Sequence, residues 1–122
     1  MRGATVTPPA LNAEWRHWER IYQVVLPDAL GHPMLAFRDG YWYQIGSDFS
    51  PHPVTAHTAI LRHPSTAGSI VQVLCWWMRE HYRHPRALDL ATELSLAVSE
   101  LARVADLNSP SRYRDDPLTG PL

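Results

Sequence analysis

The stretch MLAFRDGYWYQIG, residues 34–46, decides the fold of this chain. Two segments rich in apolar residues, Met34–Arg38 and Tyr41–Gly46, flank the dipeptide Asp39-Gly40. An Asp-Gly pair between two such segments is typical of a two-residue turn in which both residues have positive φ. The sequence therefore predicts a β-hairpin here.

The predicted turn also fixes which residues face each other across the hairpin. It places Phe37 opposite Trp42 and Ala36 opposite Tyr43, so that aromatic side chains pair between the strands. Because a lone hairpin is only marginally stable in water, we expect it to pack on a helix or to gain another strand. Residues 54–61 (VTAHTAIL) are the candidate for that strand because Thr and Val favour the pleated surface, but they also fit a short helix.

A helix is predicted before the hairpin, from Leu11 to Leu26. Its apolar residues recur at spacings of four and three, which places them on one helical face. They are Leu11, Trp15, Trp18, Tyr22 and Val25. Pro27 cannot continue the hydrogen-bond ladder, so the helix should end about there.

Two further helices are predicted in the C-terminal half. One runs from Ser65 or Thr66 to His84, and the next from about Arg86 to Leu107. Their apolar faces comprise Ile70, Leu74, Trp77, Met78 and His81 in the first, and Leu90, Leu94, Ala97, Leu101 and Val104 in the second. The short connection through His84-Pro85 makes them antiparallel neighbours. The predicted fold is therefore α+β, with an N-terminal helix, a β-hairpin that a third strand can extend, and two antiparallel helices packed on the small sheet.

Length and composition indicate one folded domain. A chain of 122 residues with 45% hydrophobic residues can form one core. We assign residues 10–107 to a single α+β domain, residues 1–9 to a flexible lead-in and the proline-containing residues 108–122 to a flexible tail. No apolar segment approaches the roughly 20 residues of a membrane span. No secretory signal follows Arg2 and Cys75 is the only cysteine, so we expect a cytoplasmic protein.

The charged residues are unusual in type and in distribution. All 11 basic residues are Arg, which we interpret as the codon bias of a GC-rich bacterium or its phage. Residues 62–86 contain four Arg and one Glu, a net charge of +3, whereas residues 87–107 contain four acidic residues and one Arg, a net charge of −3. Neighbouring helices of opposite charge are expected to form ion pairs, each worth less than about 1 kcal/mol at the surface.

Three large apolar residues lie off the predicted apolar faces of the last two helices. At 100° per residue, Trp76 falls among polar residues while Trp77 falls on the apolar face. Leu88 and Leu96 are similarly displaced on the following helix. Displaced apolar residues on two helices favour a protein interface, and we therefore predict one formed by Trp76, Leu88 and Leu96.

Nucleic-acid binding is the alternative use of the same region. An exposed indole beside guanidinium groups suits base stacking combined with phosphate contacts. The residues concerned are Arg62, Trp76, Arg79, Arg83 and Arg86. The overall charge of −1 weighs against this alternative, because dedicated nucleic-acid binders are commonly basic.

Metal binding and catalysis have little support in the sequence. His81 and His84 are weak metal candidates, since zinc needs at least three convergent ligands and His near a helix C-terminus is explained by capping. We find no nucleophile elbow, phosphate-binding loop or dinucleotide fingerprint. We therefore expect no cofactor and no enzyme. The sequence favours a small accessory protein that self-associates or docks on a protein partner.

Overall fold

The predicted α+β class is confirmed by the computed structural model of the chain, which describes residues 9–108. The predicted lead-in and tail lie outside these residues, apart from Pro9, which begins the first helix, and Asn108, which ends the last helix. In chain order the elements are α1 (Pro9–Ile21), β1 (Val24–Pro27), β2 (Pro33–Arg38), β3 (Tyr41–Ile45), β4 (Pro51–Val54), α2 (Ala56–Arg62), a 3-10 turn (Pro64–Thr66), α3 (Ala67–Glu80) and α4 (Pro85–Asn108). The four strands form one antiparallel sheet in the order β1-β2-β3-β4.

The hairpin forms where the Asp39-Gly40 pair predicts it. φ is +51° at Asp39 and +92° at Gly40, as a turn with two positive φ values requires. The strands β2 and β3 pair in the predicted register, with Phe37 opposite Trp42. The Phe37 and Trp42 rings lie 4.9 Å apart, so the predicted aromatic pair is formed.

The predicted first helix is too long by five residues. α1 ends at Ile21, and residues 24–27 form the edge strand β1 instead. Val24 pairs with Phe37, and Val25 with Ala36. Val25 suits the helical spacing, but pairing with β2 outweighs that local pattern. Val24 and Val25 are also β-branched, and such residues favour strands.

The undecided segment 54–61 divides between the two alternatives. β4 ends at Val54 and α2 begins at Ala56. The division is made at Thr55, whose backbone is extended and whose hydroxyl accepts the N–H of Thr58 at 3.0 Å. A threonine in this conformation is an effective helix N-cap, and so one residue ends the strand and starts the helix.

β4 is an edge strand that cannot readily accept another strand. Gly46 donates its N–H to Ser50, which sets the alternation of hydrogen-bonded pairs along β3 and β4. Pro51 and Pro53 consequently occupy the positions whose backbone nitrogens face away from β3. Proline has no N–H, and so this edge offers no outward donor at either position.

Helices cover both faces of the sheet. On one face, α2, α3 and α4 pack on strand residues to form the main core of buried residues, which comprises Leu35, Phe37, Trp42, Ala56, Ala59, Ile60, Ile70, Leu74, Trp77, Ala87, Leu90 and Ala97. On the other face, Trp18 of α1 packs on Ala36 and Ile45, and Tyr22 and Val25 flank them.

The last two helices differ from the prediction in their ends and their ion pairs. α3 ends at Glu80 rather than His84, and His81 closes it by donating its backbone N–H to Trp77 O. The predicted ion pairs between helices are replaced, at Arg86 and Arg103, by pairs within α4. Arg86 belongs to α4 and lies closest to acidic residues one and two turns further along that helix.

His63 is held by a hydrogen bond that links α2 to the sheet. Its Nε2 lies 2.7 Å from Oε1 of Gln44, and Gln44 in turn donates its side-chain amide to Met34 O. Burial, helped by the nearby Arg62, lowers the pKa of His63 below its ordinary value. The neutral ring is therefore favoured in the folded protein.

This shift predicts a loss of stability at mildly acidic pH. Because unfolded His63 binds a proton more strongly than folded His63, stability should decrease as the pH falls below about 6.5 toward the lower folded pKa. Urea unfolding measured across this range should show the decrease, and His63→Gln should remove part of it. The exposed His32 provides the control His32→Gln, which should keep the wild-type profile. An unchanged profile in His63→Gln would contradict the assignment.

Candidate functional site

The C-terminal half of α4 carries apolar side chains that the rest of the described chain does not cover. Leu101 and Val104 were expected in the buried face of this helix, but they are 41% and 43% exposed, and Val98 beside them is 56% exposed. The prediction failed because α4 extends beyond the surface that supports it. Leu90 and Ala97 are buried, whereas no side chain between residues 98 and 106 is. We call Val98, Leu101 and Val104 the α4 end face.

The α4 end face continues the same helical face that is buried nearer the start of α4. The buried or half-buried residues and the exposed ones follow one another at spacings of three and four. They are Ala87, Leu90, Leu94, Ala97, Leu101 and Val104. This is the spacing of a helix–helix packing face. The helix thus presents, from Val98 to Val104, a packing face about 9 Å long for which the described chain supplies no partner.

The residues predicted for a protein interface are exposed, but they lie on two helices. Leu88 and Leu96 are 73% and 54% exposed on α4, and Trp76 is 37% exposed on α3. The sequence predicts that Trp76 is exposed and that Trp77 lies on the apolar face. The structure agrees, since Trp77 is buried in the core. At 100° per residue, Leu96 lies on the side of α4 away from Leu101, so this helix is apolar on two sides near its end.

The five residues predicted for nucleic-acid binding lie on three helices and on the connection between α3 and α4. Arg62 lies at the end of α2, Arg79 in the last turn of α3 and Arg83 in the turn before α4, where its guanidinium lies 5.3 Å from the Tyr82 ring centroid. All three are exposed, and none forms an ion pair with another described residue. The fifth residue, Arg86, is instead engaged inside the domain.

Arg86 and Glu93 form a partly buried ion pair that joins three elements. Their side chains are 10% and 16% exposed, and Nη1 of Arg86 lies 2.9 Å from Oε2 of Glu93. Arg86 also donates from Nε to Gly40 O in the hairpin turn at 2.7 Å. Glu93 accepts the N–H of Ala56, the first residue of α2, at 2.7 Å. The pair thereby ties α4 to the hairpin turn and to the start of α2.

A pocket of about 390 Å³ opens beside this ion pair. It lies where the hairpin, the end of β4 and the start of α4 meet. We call it the aromatic pocket, and it is lined by Tyr41, Trp42, Tyr43, Pro53, Val54, Thr55, Arg86 and Glu93. The guanidinium of Arg86 lies 4.1 Å from the centroid of the Tyr41 ring, an arrangement in which the ring stabilises the cation. A mostly apolar pocket with a few polar groups is the usual form of a binding site.

The sequence prediction missed this pocket. Its signal was the alternation of Tyr41 with Tyr43 and of Pro51 with Pro53, which places flat side chains on the same face of two strands. This pattern predicts a shared surface only if β4 is known to pair with β3. The contribution of Arg86 and Glu93 depends on the packing of α4, which no local spacing reveals.

The two metal candidates are engaged with Trp77. The His81 ring stacks on the Trp77 ring at 4.2 Å, with Nδ1 lying 3.0 Å from Trp77 O. Nδ1 of His84 accepts the N–H of Arg86, as expected for a residue that caps the start of α4. Within residues 9–108, no three His, Cys, Asp or Glu side chains converge as metal ligands would.

Comparisons with known proteins give the chain no relative. No family model, curated protein or solved structure matches it. No helix in the described part of the chain is long and apolar enough to cross a membrane.

Proposed function

We propose that this chain is a non-enzymatic interaction protein that self-associates through the α4 end face. The observation behind the proposal is the exposed packing face at Leu101 and Val104, which continues from buried residues of the same helix. Exposed apolar surface of this kind, adjacent to a polar rim, is typical of protein interfaces.

A second copy of the chain is the occupant that this face suits best. In a two-fold dimer each residue of the patch meets the same patch on the partner, so the patch must be compatible with itself. Ala102 and Ala105 flank the α4 end face and allow helices to approach closely. The nearby charges of Glu100 and Arg103 are paired with each other. This pairing reduces the repulsion that Glu100 and Arg103 would otherwise cause between two copies of the α4 end face.

Self-association is tested by the molar mass in solution. Light scattering over about 5–500 μM protein, with a reductant because Cys75 is exposed, should show a reversible dimer. The variant Leu101→Ser/Val104→Ser should weaken the dimer at least about tenfold. Leu30→Ser, which changes an exposed leucine in the connection between β1 and β2, should leave the dimer unchanged.

A second double variant tests which surface forms the dimer. Trp76→Ala/Leu96→Ala alters the interface expected from the sequence and leaves the α4 end face intact. Our proposal requires this variant to dimerise like the wild type. Loss of the dimer in this variant alone, or a monomeric wild type at every concentration, would overturn the assignment to the α4 end face.

Nucleic-acid binding is the second candidate function. Its support is that Arg62, Arg79 and Arg83 are exposed and form no ion pair with another described residue, and that Trp76 is exposed close to Arg79 in sequence. Binding of a single-stranded oligonucleotide should then weaken steeply as the salt concentration rises, because each phosphate contact releases counterions. Equal binding by the wild type and an Arg79→Gln/Arg83→Gln variant would exclude this use of α3.

A further inference from the structure

The side chains that line the aromatic pocket use their acceptors more fully than their donors. Both carboxylate oxygens of Glu93 already accept hydrogen bonds, one from Ala56 and one from Arg86. The Thr55 hydroxyl is also engaged, since it donates to Oγ1 of Thr58 and accepts the Thr58 N–H. Each side-chain acceptor that lines the pocket is therefore already engaged in at least one hydrogen bond within the protein, apart from the tyrosine hydroxyls.

Donors of the same residues are not all used. Arg86 donates from Nε and Nη1 within residues 9–108, and its Nη2 has no acceptor there. The tyrosine hydroxyls of Tyr41 and Tyr43 add two further groups that can donate. A ligand that complements this pocket accepts hydrogen bonds and does not need to donate them.

The charge and shape of the pocket further restrict the type of ligand that can bind. The positive charge of Arg86 is balanced by Glu93, and Oδ2 of Asp89 also lies 3.9 Å from Nη1 of Arg86. The site therefore does not favour an anion. Its walls include the rings of Tyr41, Tyr43 and Pro53, which favour a flat apolar group. Strand addition at the neighbouring edge is disfavoured by Pro51 and Pro53, which remove the outward donors. The ligand must therefore bind through its side chains and carbonyl groups.

We propose that the aromatic pocket binds a proline-rich segment of a partner protein in the polyproline II conformation. Proline combines a compact apolar ring with a carbonyl acceptor and has no N–H donor. A polyproline II segment has no internal hydrogen bonds, so its carbonyls are free to accept from the pocket. Tyrosine- and tryptophan-lined grooves recognise such segments because the extended chain is already ordered before it binds. This site lies near the start of α4, separate from the α4 end face, and the proposal does not depend on self-association.

The test uses decaproline as the probe and the ¹⁵N-labelled full chain. Titration should shift the amide signals of Tyr41, Trp42, Tyr43 and Thr55. Decaalanine bearing terminal lysines for solubility should produce no such set of shifts at the same concentration. A concentration of about 2 mM decaproline exceeds the Kd expected of a useful recognition site. Absence of shifts for the pocket residues at this concentration overturns the proposal.

Two variants decide whether the binding depends on the pocket. Tyr41→Ala removes a half-exposed ring of the wall and should weaken decaproline binding at least about tenfold. Phe49→Ala removes an exposed ring outside the pocket, in the β3–β4 connection, and should change the affinity less than about twofold. If Tyr41→Ala is too unstable by circular dichroism, Pro53→Ala provides the second test. Equal affinity of the wild type and a folded pocket variant overturns the proposal.

Discussion

Replacing Arg86 with Met is expected to lower the free energy of unfolding by about 3 kcal/mol, the usual cost of removing one member of a buried ion pair. The variant leaves the mostly buried Glu93 carboxylate with only the Ala56 N–H as its partner. It also removes the hydrogen bond to Gly40 O and the contact with the Tyr41 ring. The expected loss of stability is large because Arg86 connects elements that are far apart in sequence.

A matched control lies on the same helix. Arg103 pairs with Glu100 at an exposed position, so Arg103→Met should cost less than about 0.5 kcal/mol. The double variant Arg86→Met/Glu93→Leu should lose less stability than the sum of its two single variants, because it leaves no unpaired charge. Urea unfolding gives all four values. Equal costs for Arg86→Met and Arg103→Met would contradict the structural role of the Arg86–Glu93 pair.

Gly40→Ala is expected to lower the free energy of unfolding by about 2–3 kcal/mol, from two separate causes. At φ +92° an L side chain is strained whatever space surrounds it. In addition, a Cβ at this position would lie 2.6 Å from Cγ of Arg86 and 3.1 Å from Cη2 of Trp77. Relief of that clash would displace Arg86 from the ion pair with Glu93.

Two other glycines separate these causes. Gly31 has φ +88° but nothing within 4 Å of a new Cβ, so Gly31→Ala should show only the backbone cost, about 1 kcal/mol. Gly68 lies in α3 with open space around it, so Gly68→Ala should stabilise the protein by about 0.5 kcal/mol. Chemical unfolding should therefore rank Gly68→Ala, Gly31→Ala and Gly40→Ala from most to least stable. Similar losses in Gly31→Ala and Gly40→Ala would show that the close approach of Arg86 is unimportant.

The sequence predicted best those features that depend on neighbouring residues. The Asp39-Gly40 turn sets the register of β2 and β3 because a two-residue turn allows only one pairing. The separation of Trp76 from Trp77 follows from helical geometry alone, and the structure confirms it. In each case the deciding interactions lie within a few residues along the chain.

The features that were missed depend on contacts between distant segments. Val24 and Val25 belong to a strand because β2 is available to pair with them, although their spacing also suits a helix. Leu101 and Val104 have the spacing of buried residues, but spacing cannot reveal where the supporting surface ends. The aromatic pocket could be predicted only with the knowledge that Arg86 approaches the hairpin turn and Glu93 the start of α2. Arg86 and its hydrogen-bond partner Gly40 are 46 positions apart in the sequence.

The central claim is that two copies of the chain meet at the α4 end face, and isotope-filtered nuclear Overhauser spectroscopy tests it most directly. The sample contains equal amounts of ¹³C-methyl-labelled and unlabelled chain, at a concentration where the dimer forms. The account predicts intermolecular contacts from the methyl groups of Val98, Leu101 and Val104. Intermolecular contacts confined to other residues, or none at all, would contradict it.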